Sequence, residues 1–291
     1  KCTMIWRWNV DMVEDVNGNA TIYNYAKESN YYQSSDGRVG YDRGGYLTDI
    51  RYGLNRNDGL YAAQAPQKID FTVAERCFPG SKGDCSNGQF DAAHSDMWPD
   101  TPIDQSCTAT SACDDHAPTF WSRKRLTSVA TRVYSAGSYQ KVDQYDLNQA
   151  FLNWDPVNGN TGEPQLVLQS VTRTAFAGGT SVANPPVEFN YVQLANRVEG
   201  LHNLPPMLKY RLFDVKTETG QHILVTYSGT GGQQSFAKPL CTATTIPASP
   251  STNTTECFPV KWAPFGTDLL DYFHKYVVTQ VVVQDANVGA T

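Results

Sequence analysis

Cysteine is the residue type whose spacing in this 291-residue chain most clearly implies chemistry. Six of the seven cysteines lie in pairs that are close in sequence, within loops rich in Pro, Gly and Ser. Such short-range pairs are typical of disulfides that hold segments with little buried surface. Six cysteines allow 15 pairings, and proximity alone favours one of them. The favoured structural disulfides join Cys77 to Cys85, Cys107 to Cys113, and Cys241 to Cys257.

A zinc site is the competing interpretation of the same region. Its ligands would be Cys107, Cys113 and His116, completed by His94 or Cys85. The paired Cys-x2-Cys spacing of common structural zinc sites is missing from this set. The sequence therefore favours disulfides, and we predict neither a metal nor a cofactor.

The histidines lack the sequence context that nucleophilic catalysis requires. No Gly-x-Ser-x-Gly elbow occurs, and spacing identifies no Ser or Cys as the partner of any histidine. A Cys–His pair would also need a reduced thiol, which the disulfide pairing removes. We therefore predict a non-enzymatic protein with no catalytic residue among His94, His116, His202, His222 and His274.

Aspartates are concentrated in one long irregular stretch, about 77–118: Asp91, Asp96, Asp100, Asp104, Asp114 and Asp115. Glycoside hydrolysis needs two carboxylates that face each other across a bond, and spacing in an irregular loop cannot establish that. The sequence favours a solvated acidic loop. An extracellular hydrolase that uses these carboxylates is the weakest alternative.

Tryptophans beside the Asp-rich loops suggest a different alternative, a carbohydrate-binding or adhesive β module. Aromatic faces and carboxylates together suit hydroxyl-rich ligands such as a cell-surface glycan. This interpretation expects exposed side chains at Trp98, Trp121, Trp154 and Trp262.

Oxygen-bearing residues cluster at 15–19 and 155–160, as they do in calcium loops. Neither cluster completes the twelve-residue loop with its terminal Glu, so we predict plain turns.

Strand signals dominate the elements that must position these residues. Charged residues are only 18% of the chain, and Tyr 16, Phe 12 and Trp 6 make it rich in aromatic side chains. β-branched and aromatic residues in near-alternation predict strands, with Gly, Asn, Asp and Pro in the gaps. The predicted strands are 6–13, 20–27, 46–52, 68–74, 126–134, 142–151, 165–176, 210–217, 223–227 and 272–283. The fold is predicted to be mostly β.

Local signals refine this prediction at two turns and two insertions. Asn17-Gly18 predicts a type I′ turn between the first two strands, because both residues tolerate positive φ. Thr267 predicts the cap of one short helical turn at 268–271. Irregular, cysteine-bearing insertions are expected at about 77–118 and 228–264.

The net charge and the terminal sequence limit which cellular compartment and which binding partners are expected. A net charge of −6 and a pI near 5.3 give no basic field for a nucleic-acid backbone. The sequence contains no run of about 18 apolar residues, so it predicts no membrane-spanning helix. The start at Lys1-Cys2 already alternates like a strand and lacks a signal peptide, so we expect a secreted, processed segment. Cys2, unmatched in the favoured pairing, is expected to pair with chain upstream.

A weak internal repeat relates the sequence around Gly18 to the sequence around Gly220. Placing Gly18 on Gly220 aligns Val10 with Leu212 and Tyr25 with Tyr227. Both copies have the order strand, polar turn with Gly, strand ending in Tyr. Spacing alone also allows two unrelated β-hairpins.

The two copies, 6–25 and 210–227, resemble divergent YD repeats of the Rhs family. The segments 119–129, 187–198 and 273–279 are similar to the β-rich region that precedes the Rhs core in large secreted actinobacterial Rhs proteins. The resemblance covers nearly the whole chain, and the order of these degenerate motifs carries it.

The resemblance implies a fold of stacked antiparallel β-hairpins that forms part of a β-shell, with a long disulfide-bearing loop. Residues 1–291 would be a single β-rich segment of a longer chain, without the protease motif of the core. Its role would be structural, as the wall of a cocoon that encloses a toxin or effector. Its partners would be the rest of the Rhs chain and that cargo, with no nucleic acid.

Overall fold

This structure is a computed structural model that describes residues 4–61, 64–80, 82–111, 113–152, 164–204, 207–229 and 240–285. The fold is mostly β, which confirms the predicted class. The strands are β1 Met12–Glu14, β2 Asn19–Ser34, β3 Gly37–Asn55, β4 Gln67–Glu75, β5 Lys124–Ser135, β6 Ser138–Leu152, β7 Gln165–Ala177, β8 Thr180–Ala183, β9 Val187–Ala195, β10 Leu208–Lys216, β11 His222–Tyr227, β12 Cys257–Trp262, β13 Leu269–His274 and β14 Val278–Gln284.

Twelve of these strands belong to one hydrogen-bonded sheet. Its order is β1-β2-β3-β4-β5-β6-β7-β9-β10-β11-β14, and β8 pairs with β7 beside this path. Strands β12 and β13 form a separate two-stranded sheet. Neighbours in the order are mostly neighbours in sequence, as expected of stacked antiparallel hairpins.

The chain contacts divide the protein into two compact units. Unit 1 is Lys1–Asn148 with Thr172–Asn184, and unit 2 is Gln149–Val171 with Pro185–Thr291. Among the described residues, no helix is long and apolar enough to cross a membrane.

In unit 1, the longest hairpin is formed by β2 and β3, which pair from Asn19↔Asn55 to Ser34↔Gly37. The register shifts at three places along this pairing. Such bulges bend and twist a long hairpin. Between β4 and β5, residues 76–123 form an irregular insertion with short 3-10 turns, close to the bounds that the sequence predicted.

In unit 2, β9, β10, β11 and β14 pair in that order. Residues 228–229 and 240–256 lie outside the strands, and β12 begins at Cys257, inside the predicted insertion of 228–264. The predicted strand 272–283 is divided into β13 and β14, and β8, β9 and β12 were not among the predicted strands.

The predicted helical turn at 268–271 is wrong. Leu269 and its neighbours form β13, which pairs with β12 from Trp262↔Leu269 to Cys257↔His274. The four consecutive buried residues Asp271–His274 and their cross-strand partners outweigh the local capping signal of Thr267.

The buried apolar residues form small clusters. The two clusters that contain the largest side chains include residues of the insertions. In unit 1 one cluster contains Cys77, Cys85, Met97 and Trp98. In unit 2 the cluster contains Val198, Cys241, Cys257 and Tyr272. Most residues of the long strands are only half-buried. The insertions therefore supply much of the apolar core in each unit.

The turn between β1 and β2 differs from the predicted type. Gly18 has φ +81, but Asn17 has no positive φ, so the loop is a type I turn followed by a glycine bulge. Type I′ geometry occurs at Ala136-Gly137 between β5 and β6 instead, where both φ values are positive. Asn-Gly was thus the correct signal for a hairpin but not for its turn type.

Replacing Gly18 by Ala tests this turn. We expect Gly18→Ala to lower the free energy of unfolding by about 1 kcal/mol, because the φ of +81 disfavours a side chain. A Cβ there would also lie 2.9 Å from Nε of Arg56. Chemical denaturation measures the change. The control is Gly88→Ala, where φ is not positive and a Cβ meets nothing within 4 Å. Equal effects at both positions would contradict this account of the turn.

Candidate functional site

The two hairpins of the sequence repeat have the same strand register. In copy 1, formed by β1 and β2, Met12 pairs with Ile22 and Glu14 with Ala20. In copy 2, formed by β10 and β11, the aligned residues pair in the same way: Asp214 with Leu224, Val215 with Ile223, and Lys216 with His222. The repeat is therefore present in the backbone as well as in the sequence.

The turns of both copies have the same hydrogen bonds. Asp15 N donates to Asn19 O at 3.0 Å, and Gly18 N donates to Asp15 O at 3.0 Å. In copy 2 the equivalent bonds run from Thr217 N to Gln221 O at 2.8 Å and from Gly220 N to Thr217 O at 2.9 Å. Gly18 and Gly220 have nearly equal φ values of +81 and +83. Both copies are thus closed by the same three-residue loop.

A tyrosine closes each copy at its far end. The Tyr25 hydroxyl donates to Val10 O at 3.0 Å, and the Tyr227 hydroxyl donates to Leu212 O at 2.8 Å. These four residues are the ones that the sequence alignment placed on each other. Each hydroxyl spans the hairpin from its second strand to its first, and so fixes the two strands at the end opposite the turn.

The side chains at the turn of copy 1 explain the cluster that resembles a calcium loop. Asp15 Oδ1 accepts from the amides of Asn17 and Asn19 at 2.9 Å, and Oδ2 accepts from Asn19 Nδ2 at 2.8 Å. The bonds from Asn19 lower the pKa of Asp15. Both carboxylate oxygens therefore serve the turn itself. The second cluster, 155–160, lies outside the described residues.

Ion pairs lie within and between the strands of unit 1. Asp49 binds Arg51 within β3 at 2.9 Å, and Lys68 binds Asp70 within β4 at 2.8 Å. Asp70 also binds Arg132 of β5 at 2.5 Å, and Asp143 of β6 binds Arg173 of β7 at 2.9 Å. Opposite charges therefore connect β4 to β5 and β6 to β7, and they keep this part of the sheet polar.

Unit 1 contains a buried cluster of Arg43, Glu28 and Trp121. Both charged side chains are 5% exposed, and Arg43 Nη2 lies 3.2 Å from Glu28 Oε1. The Arg43 guanidinium lies 3.6 Å from the centre of the Trp121 ring. Burial lowers the pKa of Arg43, and the hydrogen bond to Glu28 opposes this shift. We call these residues the unit 1 cluster.

The unit 1 cluster attaches the end of the insertion to the sheet. Glu28 also accepts from Ser122 Oγ at 2.6 Å and from the Arg123 amide at 3.0 Å, just before β5 begins. At the disulfide, the buried Asn30 side chain donates to Gln105 O and accepts from the Cys107 amide, both at 2.8 Å. The long hairpin β2–β3 thus holds the insertion at two places.

Unit 2 contains an equivalent set of residue types in Arg197, Asp271 and Trp262. Arg197 Nε lies 3.1 Å from Asp271 Oδ2, and the Asp271 side chain is 0% exposed. Trp262 Nε1 donates to the same oxygen at 3.3 Å, and the Arg197 guanidinium lies 5.2 Å from its ring centre. We call these residues the unit 2 cluster.

The unit 2 cluster joins the β12–β13 hairpin to the segment that follows β9. The Val198 amide donates to Tyr272 O at 2.9 Å, and the His274 amide donates to Asn196 O at 2.8 Å. These backbone bonds flank Arg197 and Asp271. In both units, therefore, an Arg, a carboxylate and a Trp lie where an irregular segment meets strands.

The structure contains the three disulfides that proximity favoured: Cys77–Cys85, Cys107–Cys113 and Cys241–Cys257. Cys107, Cys113 and Asp115 place ligand atoms within 4.8 Å of one another, but both sulfurs are in a disulfide and are not thiolates. The proposed zinc set also loses Cys85 in this way. Disulfides are typical of proteins that fold in an oxidising environment outside the cytosol. Cys2 lies outside the described residues.

The aspartates of the insertion are distributed among separate contacts. Asp100 binds Arg76 through both oxygens, at 2.6 to 2.8 Å, and Asp96 pairs with Lys82. The backbone carbonyl of Asp115 accepts from the Gln33 amide at 2.8 Å. The exposed members are Asp91, Asp104 and Asp114. Among the described contacts, no two of these carboxylates share a partner.

Four of the histidines contact a carboxylate or a carbonyl. The contacts join His94 to Asp91 at 2.8 Å, His116 to Gln33 O at 3.2 Å, His202 to Leu270 O at 3.0 Å, and His222 to Asp214 at 2.9 Å. The bond to His94 is the main cause that lowers the pKa of Asp91. None of these contacts involves a Ser or Cys side chain.

The tryptophan side chains are not exposed in the way that the carbohydrate-binding interpretation expects. Trp98 is 1% exposed and lies in the apolar cluster of the insertion, so its predicted exposure is wrong. Trp121 and Trp262 each face an arginine, and Trp154 lies outside the described residues. The exposed tryptophans are Trp6 and Trp8, at 51% and 83%. The sequence predicted both in a strand at 6–13, which is wrong for these two residues because β1 begins only at Met12.

A scan against protein-family models and a search of curated proteins found no match to this chain. The internal repeat, the two buried clusters and the exposed side chains of Trp6 and Trp8 are therefore the features that bear on function.

Asp271→Asn tests the unit 2 cluster. We expect a loss of about 3 kcal/mol in the free energy of unfolding, because the buried Arg197 charge loses its counter-charge. Asp268→Asn is a matched control, since its ion pair with Lys261 is exposed. Denaturation of both variants measures the difference. A similar stability for the two variants would contradict the proposed role of the buried pair.

His274 makes stability depend on pH. Its side chain is buried, and burial is the main cause that lowers its pKa below the ordinary value of 6.5. The unfolded state therefore binds the proton more readily, so the His274 contribution is lost as the pH falls below about 6.5. We expect His274→Gln to lose less stability between pH 7.5 and 5.5 than the parent does. The exposed His116→Gln control should behave like the parent, and an unchanged slope for His274→Gln would disprove this assignment.

Proposed function

We propose that this chain is a non-enzymatic structural segment of a secreted protein of the Rhs, or YD-repeat, type. Its hairpins contribute to a β wall that encloses or presents an effector. The observation that carries the proposal is the equivalence of the two repeat hairpins in register, turn and tyrosine bond. Repeats that preserve backbone geometry while their side chains diverge are typical of proteins in which each unit is part of a scaffold.

The distribution of buried residues supports a wall. The long strands are mostly half-buried, and much of the apolar core lies at the insertions. A sheet of stacked hairpins with two polar or half-covered faces suits a partition better than a ligand cavity. The ion pairs that connect β4 to β5 and β6 to β7 contribute to this by joining neighbouring strands.

The contacts of the acidic and histidine side chains also fit a structural role. Asp100 neutralises Arg76, and Asp15 is bound within its own turn. Three disulfides that cross-link the insertions are consistent with a secreted protein. Secretion itself is part of the proposal.

The gene sequence on either side of this segment tests the wall. We expect further units with the order strand, polar turn with Gly, strand ending in Tyr, and a core with an effector region beyond them. These units should fit the register seen in β1–β2 and β10–β11 when they are folded with this segment. A gene without such units, in either direction, would refute the proposal.

Titration against polysaccharides separates the wall from a carbohydrate-binding module. We expect no saturable heat signal with a panel of soluble polysaccharides, because Trp98 is buried and Trp121 is stacked on Arg43. Release of reducing sugar from the same panel, measured in parallel, tests the hydrolase alternative. Saturable binding that is lost in Trp8→Ala would favour the carbohydrate-binding module, and sugar release that is lost in Asp100→Asn would favour the hydrolase.

A further inference from the structure

Strand β1 and the irregular segment before it, which contains Trp8 and Val10, form a row of exposed residues. Strand β1 is at the end of the strand order and pairs only with β2 among the described residues. Residues 4–17 are all exposed, with Trp8 at 83%, Val10 at 55% and Val13 at 52%. Apolar side chains along an unpaired strand edge favour the addition of another strand.

Copy 2 shows what lies on the equivalent edge. There, β9 pairs antiparallel with β10 along the side of the hairpin that faces away from β11. The residues aligned with Trp8, Val10 and Val13 are Tyr210, Leu212 and Val215, and all three are half-buried. The same hairpin geometry therefore has a covering strand in copy 2 and none in copy 1.

The two copies also hold their first strands in the same way. Val10 O accepts from Tyr25 as Leu212 O accepts from Tyr227. The Tyr23 amide further donates to Asp11 O at 2.9 Å, just before the first residue of β1. The stretch before β1 is thus already aligned with β2. Binding of a further strand therefore requires little additional ordering of this stretch.

We propose that residues 6–14 bind an extended apolar strand, antiparallel, in the place that β9 occupies on β10. The inference rests on the proposed function, and the occupant is a strand of a further hairpin repeat. Transferred from copy 2, the register of Leu212↔Tyr191 and Val215↔Phe189 places Val10 opposite the Tyr191 position and Val13 opposite the Phe189 position.

Charge defines the occupant further. In copy 2, Lys216 binds Glu188 at 3.1 Å. Glu14 stands at the position of Lys216, so the matching strand has a basic residue at the position of Glu188. Glu14 also forms an ion pair with Arg56, which partly neutralises its charge. The preference of this edge for a basic residue is therefore modest. The strand is therefore apolar and alternating, with one basic residue opposite Glu14.

A peptide of residues 185–197 with Glu188→Lys is the probe. The labelled peptide is titrated against the full chain carrying Cys2→Ser, with fluorescence anisotropy as the readout. We expect saturable binding that is severalfold tighter than that of the peptide with Glu188. Trp8→Lys and Val10→Lys should each weaken binding at least tenfold, because charged side chains oppose strand addition at an edge.

A matched control lies on β14, at the other end of the strand order. Val281 is 57% exposed there, so Val281→Lys adds the same charge at an equally exposed position. We expect this variant to bind the peptide as the parent does. If Val281→Lys abolishes binding and Trp8→Lys does not, the peptide binds the other edge and the proposal is wrong.

Cross-linking tests the register. With Val10→Cys in the chain and Tyr191→Cys in the peptide, oxidation should give a disulfide in high yield. Moving the peptide cysteine to Val192 should reduce the yield at least tenfold, because neighbouring residues of a strand face opposite sides of a sheet. Equal yields, no binding, or a dimer of the chain that Trp8→Lys dissociates would each overturn the proposal. Further repeats in the gene together with no binding would refute this docking edge while leaving the wall intact.

Discussion

A buried charge is tolerated only where an opposite charge and hydrogen bonds match it, and each unit of this protein depends on one such match. Glu28 and Arg43 lie between the long hairpin and the end of the first insertion. Asp271 and Arg197 lie between the β12–β13 hairpin and the segment after β9. Separating the irregular segment from the strands would leave an unmatched buried charge in either unit. The end of the first insertion and the segment after β9 are therefore integral parts of their units.

The tryptophans explain why the arginines can be buried there. The flat guanidinium of Arg43 lies on the Trp121 ring, so its faces are covered while its edge reaches Glu28. Arg197 uses Trp262 in a looser version of the same arrangement. Lysine could not form both contacts, because its charge is a point on a flexible stem. The same solution in two units with different sequences indicates a common physical requirement at these junctions.

Sequence predicted what is local in this fold and missed what is distant. Strand positions followed from alternation, and the disulfides followed from proximity. The type of the Asn17-Gly18 turn was wrong, because the sequence pattern does not distinguish a two-residue turn from a turn with a glycine bulge. Trp98 was expected at the surface because its loop is polar, but it is covered by residues brought together by the Cys77–Cys85 disulfide.

The buried clusters lay beyond sequence reasoning for a related reason. Ser122 and Glu28 are 94 positions apart, and no periodicity links them. The repeat was visible but ambiguous, since two hairpins with a Gly turn resemble each other by chance. The shared glycine loop accounts for the equal register of the two hairpins, and the equivalent hydrogen bonds of Tyr25 and Tyr227 add a second shared feature.

The closed hairpin has a consequence for how such a protein changes its size. Each copy sets its register internally, by a glycine loop at one end and a tyrosine hydroxyl at the other. A whole hairpin can therefore be gained or lost without altering the alignment of the strands on either side. A chain built from such units can lengthen or shorten in steps of one hairpin, and its sheet gains or loses two strands at each step.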